Sequence, residues 1–306
     1  MKIGYPCINL TIGCKADKTF RLRSYSEERL IETVGNNLNC LSEILAFNVK
    51  HKLLFFRITS DLVPFASHPI CKFSWQKYFE KPLKEVGDFI KSHNIRISMH
   101  PDQFTLINSL DPKVFENSVK ELIYHTQVLD LMELDASAKI QLHVGGVYGN
   151  KEKSTVRFIE RFEKLEKTIK TRLAIENDDL NYNLQDCLKI STETGVPTLF
   201  DTFHHEINSS GETTKEAFKL FTKTWKKKDG PPMVDYSSHR ISGSKRKHIE
   251  TINPKHFRQF LQETNPFDFD VMLEIKDKEK SALEAARIAS KDYRFKMPHD
   301  EGQTSS

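Results

Sequence analysis

Six short apolar runs in this chain close on a side chain that can ligate a metal ion. RISMHPDQF carries His100, KIQLHVGG carries His143 and RLAIENDD carries Glu176. PTLFDTFHH carries Asp201, with His204 three residues on. MVDYSSH carries Asp235, and DVMLEIKD carries Glu274. The donors are imidazoles and carboxylates without a thiolate, a set that suits zinc, manganese or a similar divalent ion and does not decide between them. Several such ions around one phosphate can activate water, hold the substrate and stabilise a departing oxygen, so the pattern predicts metal-assisted hydrolysis. A single His or acid at a strand end is more often a satisfied structural residue. The recurrence of compatible donors on successive strands is what carries the signal.

Those donors lie far apart in the chain, and only a particular architecture would gather them. Each run is rich in β-branched or aromatic residues, reads as a buried strand, and is followed by a loop and a helical pattern. The first strand is KIGYPCINL, followed by a helix over roughly 27–47, strand KLLFFRIT, a helix over roughly 75–92 and strand IRISM. Asp111 and Pro112 form a helix start, an N-cap with proline in the first turn. That helix runs to about 134 and hands over to KIQLHV, then come a helix near 154–168, strand RLAIE and a helix near 183–194. Strand PTLFD, a helix near 213–227, strand PMVDYS, a helix from Pro254 to about Glu263, strand DFDVMLEI and a helix over roughly 278–290 complete the series. Eight strand–helix units predict a parallel sheet closed into a (β/α)8 TIM barrel of the α/β class. It is expected as a single domain over 1–296, with 297–306 a flexible tail. A barrel brings the ends of its strands together at one rim.

Composition narrows the setting. No apolar run is long enough to span a membrane, and the start MKIGYPCINLTIG lacks a signal-peptide pattern, so an intracellular location in cytoplasm or nucleoid is expected. Cys7, Cys14, Cys40, Cys71 and Cys187 are odd in number and scattered, with no C-x-x-C, so neither a zinc ribbon nor a disulfide framework is expected. The net charge of +4 is too mild to identify a nucleic-acid binder by itself. Lys223, Lys226, Lys227 and Lys228 read as a solvated helix end. Lys245, Arg246 and Lys247 directly precede His248 and face either solvent or a phosphate. No obligate protein partner is indicated.

The loop HPDQFTLINS places Gln103 and Phe104 just beyond His100. An amide beside an exposed aromatic can enter a base stack, the ring replacing lost stacking while the amide bonds base edges. The alternative is that Phe104 packs beneath its own loop. Tyr5, Asn9, Arg57 and Asn177 could face the same rim. Gly145-Gly146 fits a loop where backbone approaches something closely. A sugar isomerase on this architecture would also use acids and histidines around metals, and composition alone does not separate the two.

The motifs together resemble the UV damage endonuclease family. The resemblance covers nearly the whole chain, through IGYPCINLT, TFRLR, NLNCLSEILAFN, FFRITSDLVP, SMHPDQFTLINS, LHVGG, IENDD, FDTFHH and MLEIKDKE. SMHPDQFTLINS and IENDD are its most specific parts. Members look like distant relatives of endonuclease IV, with the same barrel and a three-metal site. They nick DNA immediately 5′ of ultraviolet photoproducts, leaving a 3′-hydroxyl and a 5′-phosphate, without ATP. The resemblance implies that His100, His143, Glu176, Asp201, His204, His248 and Glu274 are metal ligands, with Glu176, Asp201 and Glu274 central to catalysis. It implies two or three divalent ions, manganese first, with zinc and magnesium as alternatives. Its implied substrate is double-stranded DNA carrying pyrimidine dimers or 6-4 photoproducts. Gln103 and Phe104 would wedge into the duplex opposite the lesion, and Tyr5 would help hold the flipped dinucleotide. Asn9, Arg57, Lys245 and Arg246 are further candidates for DNA contact. One stretch departs from the family pattern. Where many relatives read Lys-x-His, this chain reads Met233-Val234-Asp235, so Asp235 stands in for an imidazole ligand and Met233 for a lysine that is carboxylated in some relatives. An abasic-site endonuclease, a sugar isomerase and a weakly catalytic lesion-binding protein are the rival readings.

Overall fold

Strands of four or five residues suffice here because each is covered on both faces: one by side chains inside a barrel, the other by helices. The computed structural model describes residues 1–238 and 247–295. Its strands are β1 (Ile3–Pro6), β2 (Phe55–Ile58), β3 (Arg96–Met99), β4 (Lys139–His143), β5 (Leu173–Glu176), β6 (Thr198–Asp201), β7 (Met233–Tyr236) and β8 (Asp270–Leu273). They pair in parallel in chain order, and β8 returns to β1 to close the barrel. This is the (β/α)8 barrel that the alternation predicts. No helix among the described residues is long and apolar enough to cross a membrane.

Around it lie α1 (Glu27–Lys50), α2 (Trp75–Tyr78), α3 (Glu80–Ser92), α4 (Pro112–Leu131), α5 (Lys151–Glu163) and α6 (Lys167–Arg172). They are followed by α7 (Leu184–Thr194), α8 (Thr202–Ile207), α9 (Thr214–Phe221), α10 (Pro254–Glu263) and α11 (Glu279–Ala289). Local chemistry sets several of the starts. Asp111 accepts a hydrogen bond from Lys113 N to cap α4, and Asn253 caps α10 ahead of Pro254. Other boundaries move. The predicted helix over 75–92 breaks at Phe79, and Asn150 starts α5 earlier than expected by accepting from Lys153 N. Helix α9 ends at Phe221, so Lys223, Lys227 and Lys228 lie in 3-10 turns, Lys226 precedes the second of them, and the four do not form a solvated helix end. The cysteine expectation also needs correction. Cys14, in the loop after β1, is disulfide-bonded to Cys40 on α1, with Cα atoms 5.8 Å apart. The loop doubles back over the helix across 26 residues of sequence, a proximity that spacing alone does not reveal.

The barrel interior is layered. Outward residues such as Tyr5, Phe56, Ile97, Ile140 and Phe200 join the sheet–helix core, whereas Phe55, Leu199, Met233 and Met272 form a separate apolar cluster. Toward the strand N-termini, Lys139 lies fully buried beside Asp229 and donates to Thr171 O at 2.9 Å. Arg96 donates to Asp229 O at 2.9 Å and pairs with Asp270 at 3.4 Å. Burial pushes the Lys139 ammonium down to about 8, against the pull of Asp229. Removing one partner of a buried pair leaves the other uncompensated. Lys139→Met should therefore lower the unfolding free energy by about 3–5 kcal/mol, and Lys139→Met with Asp229→Asn should recover part of that loss. Urea denaturation of the three proteins checks this; equal stability of the wild type and Lys139→Met would contradict it.

Candidate metal centre

A strand points alternate side chains to opposite faces, which sends Arg57 of β2, Gln141 and His143 of β4, Glu176 of β5, Asp201 of β6 and Asp235 of β7 toward one end of the barrel interior. Register aligns His143 with Glu176, and Asp201 with Asp235. His100 follows β3 and Glu274 follows β8. The residues spread from 100 to 274 thus meet at the C-terminal mouth.

Two groups within the mouth have the proximity a metal ion needs. In the first, His100 Nε2 lies 2.9 Å and His143 Nε2 3.0 Å from Glu176 Oε1. In the second, Glu176, Asp201 and Asp235 are all buried and bring carboxylate oxygens within 4.8 Å of one another. Glu176 belongs to both. Asp201 caps α8 by accepting from His204 N at 2.7 Å, which sets the His204 ring beside the cluster, with Nδ1 3.3 Å from Asp201 Oδ2. His248 Nε2 lies 3.7 Å from Glu274 Oε2. The ring of His100 has Nδ1 2.7 Å from Pro101 O, and that of His204 has Nδ1 3.0 Å from Asn177 O. A proton donated to each carbonyl leaves Nε2 as the free ligand atom.

Crowded acids, three of them buried and Glu274 half-buried, set the electrostatics. Burial disfavours charge on Glu176, but the adjacent His143 and His100 rings outweigh it and hold its carboxyl well below the usual range. Burial likewise opposes charge on Glu274, where Arg57 and His248 prevail and lower it. Burial pushes Asp201 up to about 6 despite His204. It pushes Asp235 well above its ordinary value, with Glu274, Glu176 and Asp201 adding to the rise and Arg57 resisting it. His143 loses hydration on burial, yet Glu176 raises it to about 9. Asp235 Oδ1 and His248 Nδ1 are buried without a hydrogen-bond partner among the described residues. An orphaned carboxylate oxygen among oxygen and imidazole donors fits divalent cations, which would displace the protons the acids otherwise retain.

Several rim expectations change. Tyr5 is fully buried between barrel and helices, its hydroxyl donating to Asn48 Oδ1 and accepting from Asn9 Nδ2. Asn9 is 2% exposed and accepts from Thr11 N and Ile12 N, so both residues brace the loop after β1 and offer no rim surface. Arg57 is 4% exposed and pairs with Asp235 and Glu274, which makes it part of the acid cluster and not a freely presented DNA contact. Asn177 is buried and clips β5 to β6, donating to Asp201 O and accepting from Asp201 N. Lys245 and Arg246 lie outside the described residues. The close approach at Gly145 is to Asn108, whose Oδ1 would sit 2.4 Å from an added Cβ, at a φ of +112°. Phe104, by contrast, is 75% exposed and does not pack beneath its loop. With Gln103 it borders a cavity of about 620 Å³ that also contacts Arg57, His100, His248, Glu274 and Lys278. Sequence reasoning missed Gln141, which donates to Glu176 Oε2 at 2.9 Å and Asp235 Oδ2 at 2.7 Å. Its position two residues before His143, on the same strand face, was the available signal.

A family model described as UV-endonuclease UvdE matches residues 1–296. A UV DNA damage endonuclease from Clostridium perfringens (strain 13 / Type A) is 39% identical over 285 residues, covering 92% of this chain and 69% of the relative. The crystal structure of SacUVDE superposes with a TM-score of 0.91 at 46% identity, covering 95% of this chain and 98% of that one. Endonuclease IV from Thermus thermophilus, at 13% identity and a TM-score of 0.56 over 82% of this chain and 93% of that one, shares the fold alone.

Because Glu176 serves both donor groups, Glu176→Gln should retain the fold but weaken manganese binding at each. It should abolish metal-dependent strand cleavage at limiting metal. Equilibrium dialysis against Mn²⁺ beside far-ultraviolet circular dichroism checks this. Wild-type metal uptake by the variant would refute the shared role.

Proposed function

The chain belongs to the UV-endonuclease UvdE family and is a UV DNA damage endonuclease, and we propose that it nicks duplex DNA immediately 5′ of pyrimidine dimers and 6-4 photoproducts. The products would be a 3′-hydroxyl and a 5′-phosphate. The observation that carries this reading is the juxtaposition of the acid–histidine mouth with the exposed Gln103–Phe104 turn: His100, His248 and Glu274 line one cavity together with Gln103 and Phe104.

His100, His143 and Glu176 would hold one divalent ion, and Glu176, Asp201, Asp235 and Glu274, with His204 and His248 at the edge, would hold the remainder. Manganese suits these hard oxygen and imidazole donors, with zinc and magnesium as alternatives. Such ions supply Lewis acidity toward a phosphate and make water a competent nucleophile near neutral pH. The chain's own residues supply geometry. Gln141 restrains one oxygen each of Glu176 and Asp235, and Asn177 fixes the backbone at Asp201. Phe104, presented to solvent, would occupy the space that a poorly stacked lesion vacates, while the Gln103 amide bonds base edges. Unstacking a dimer costs less than the few kcal/mol needed for normal DNA, so a wedge turns that difference into selectivity.

Matched duplexes containing a pyrimidine dimer, an abasic site or neither, with and without EDTA, test the reaction. Cleavage of the dimer duplex 5′ of the lesion, suppressed by EDTA and restored by Mn²⁺, is expected. Cleavage confined to the abasic duplex would favour an abasic-site enzyme, and binding without cleavage a lesion-binding protein. For recognition, Gln103→Ala with Phe104→Ala should keep the full metal complement. It should lose roughly 1–3 kcal/mol of lesion-specific binding, the worth of about one aromatic stack. Its residual affinity should fall steeply with salt. An unchanged ratio of lesion to undamaged affinity would place recognition elsewhere.

A further inference from the structure

Four carboxylates crowd the mouth of the barrel, and Arg57 is the guanidinium set directly among them. Its Nη2 lies 2.7 Å from Asp235 Oδ2, and its Nη1 pairs with Glu274 Oε1. Gln141 Nε2 donates to the same Asp235 Oδ2 at 2.7 Å, while Asp235 Oδ1 is buried without a partner. At Glu274 the other oxygen, Oε2, faces His248. Each acid is therefore held by one oxygen and presents the other.

We propose that Arg57 is the positioning residue of the metal centre: it anchors Asp235 and Glu274 by one oxygen each, turns their second oxygens to the ions, and acts as a fixed cation beside them. This rests on the metal-centre reading above. Two physical points support it. A planar guanidinium can donate to two carboxylates at once in a fixed geometry, which a lysine ammonium on a flexible stem cannot match. Charge balance points the same way. Glu176, Asp201, Asp235 and Glu274 carry four formal negative charges, which two divalent ions only neutralise. Arg57 leaves the loaded centre with a net positive charge toward a phosphodiester. Asp235, where many relatives have an imidazole, adds a negative charge next to the arginine that offsets it.

Metal-free protein titrated with Mn²⁺ tests this, with bound metal counted by mass spectrometry and the ions' coupling read by electron paramagnetic resonance. The wild type should take more than one ion per chain and show the exchange-coupled spectrum of a close pair. Arg57→Gln should keep one ion, show an isolated six-line spectrum and bind the second at least about tenfold more weakly, as loss of a ligand-orienting partner does. Arg57→Lys should behave like Arg57→Gln. If Arg57→Gln does not fold, Arg57→Gln with Asp235→Asn, which removes the charge along with its partner, decides in its place. Two coupled ions bound with wild-type affinity in any folded Arg57 variant would overturn the positioning role. A wild type that takes no manganese would defeat the metal-centre reading itself, independently of any variant.

Discussion

Repulsion among buried carboxylates is the constraint around which the barrel mouth is built. Glu176, Asp201 and Asp235 are buried and Glu274 lies half-buried beside them, and like charges so crowded cannot all ionise without compensation. Their neighbours answer that demand. Histidines flank Glu176, Arg57 bridges Asp235 and Glu274, and Gln141 donates to both Glu176 and Asp235. None of these partners comes from the helices. All lie on the strands or in the loops that leave them, so the geometry is fixed by the stiffest part of the molecule.

Below the acids, Phe55, Leu199, Met233 and Met272 fill the barrel, and a second charged layer of Lys139, Arg96, Asp229 and Asp270 closes the opposite end. Met233 finds its place in this arrangement. It packs in the apolar layer, two residues before Asp235 on the same strand face, so it contributes filling and no polar atom. The acid at 235 meets Arg57 and Gln141 without any help from position 233.

The barrel was legible because its signal is periodic: eight apolar runs, each followed by a helical pattern. The capped starts of α4 and α10 were legible for a local reason, a polar cap followed by proline. Convergence of His100, His143, Glu176, Asp201, His204, Asp235 and Glu274 followed from barrel topology, since all occupy or follow strand ends, whereas His248 was implied only by the family resemblance. What escaped was long-range pairing. Nothing adjacent to Arg57 in sequence announces that its partners are Asp235 and Glu274, 178 and 217 residues away. Tyr5 and Asn9 were misplaced because a strand-end position does not say which face a side chain takes. The Cys14–Cys40 bond escaped because the fold of a loop, and not its spacing, brings the sulfurs together.

Phe104 carries a final consequence. A large ring left 75% exposed contributes little to folding, yet burying such a side chain releases about 1.5–3 kcal/mol. That free energy is held in reserve by the native state. The turn beneath it is closed by Thr105 N donating to Asp102 O at 2.9 Å, so the backbone is already ordered before any partner arrives. On the proposed reading the residue would act as a preloaded contact: hydration would be released on insertion while little chain entropy remained to be lost. Hydrophobic gain of this kind does not weaken with ionic strength as phosphate contacts do. A surface with one such ring gives association a salt-insensitive component, confined to partners with a gap large enough to admit it.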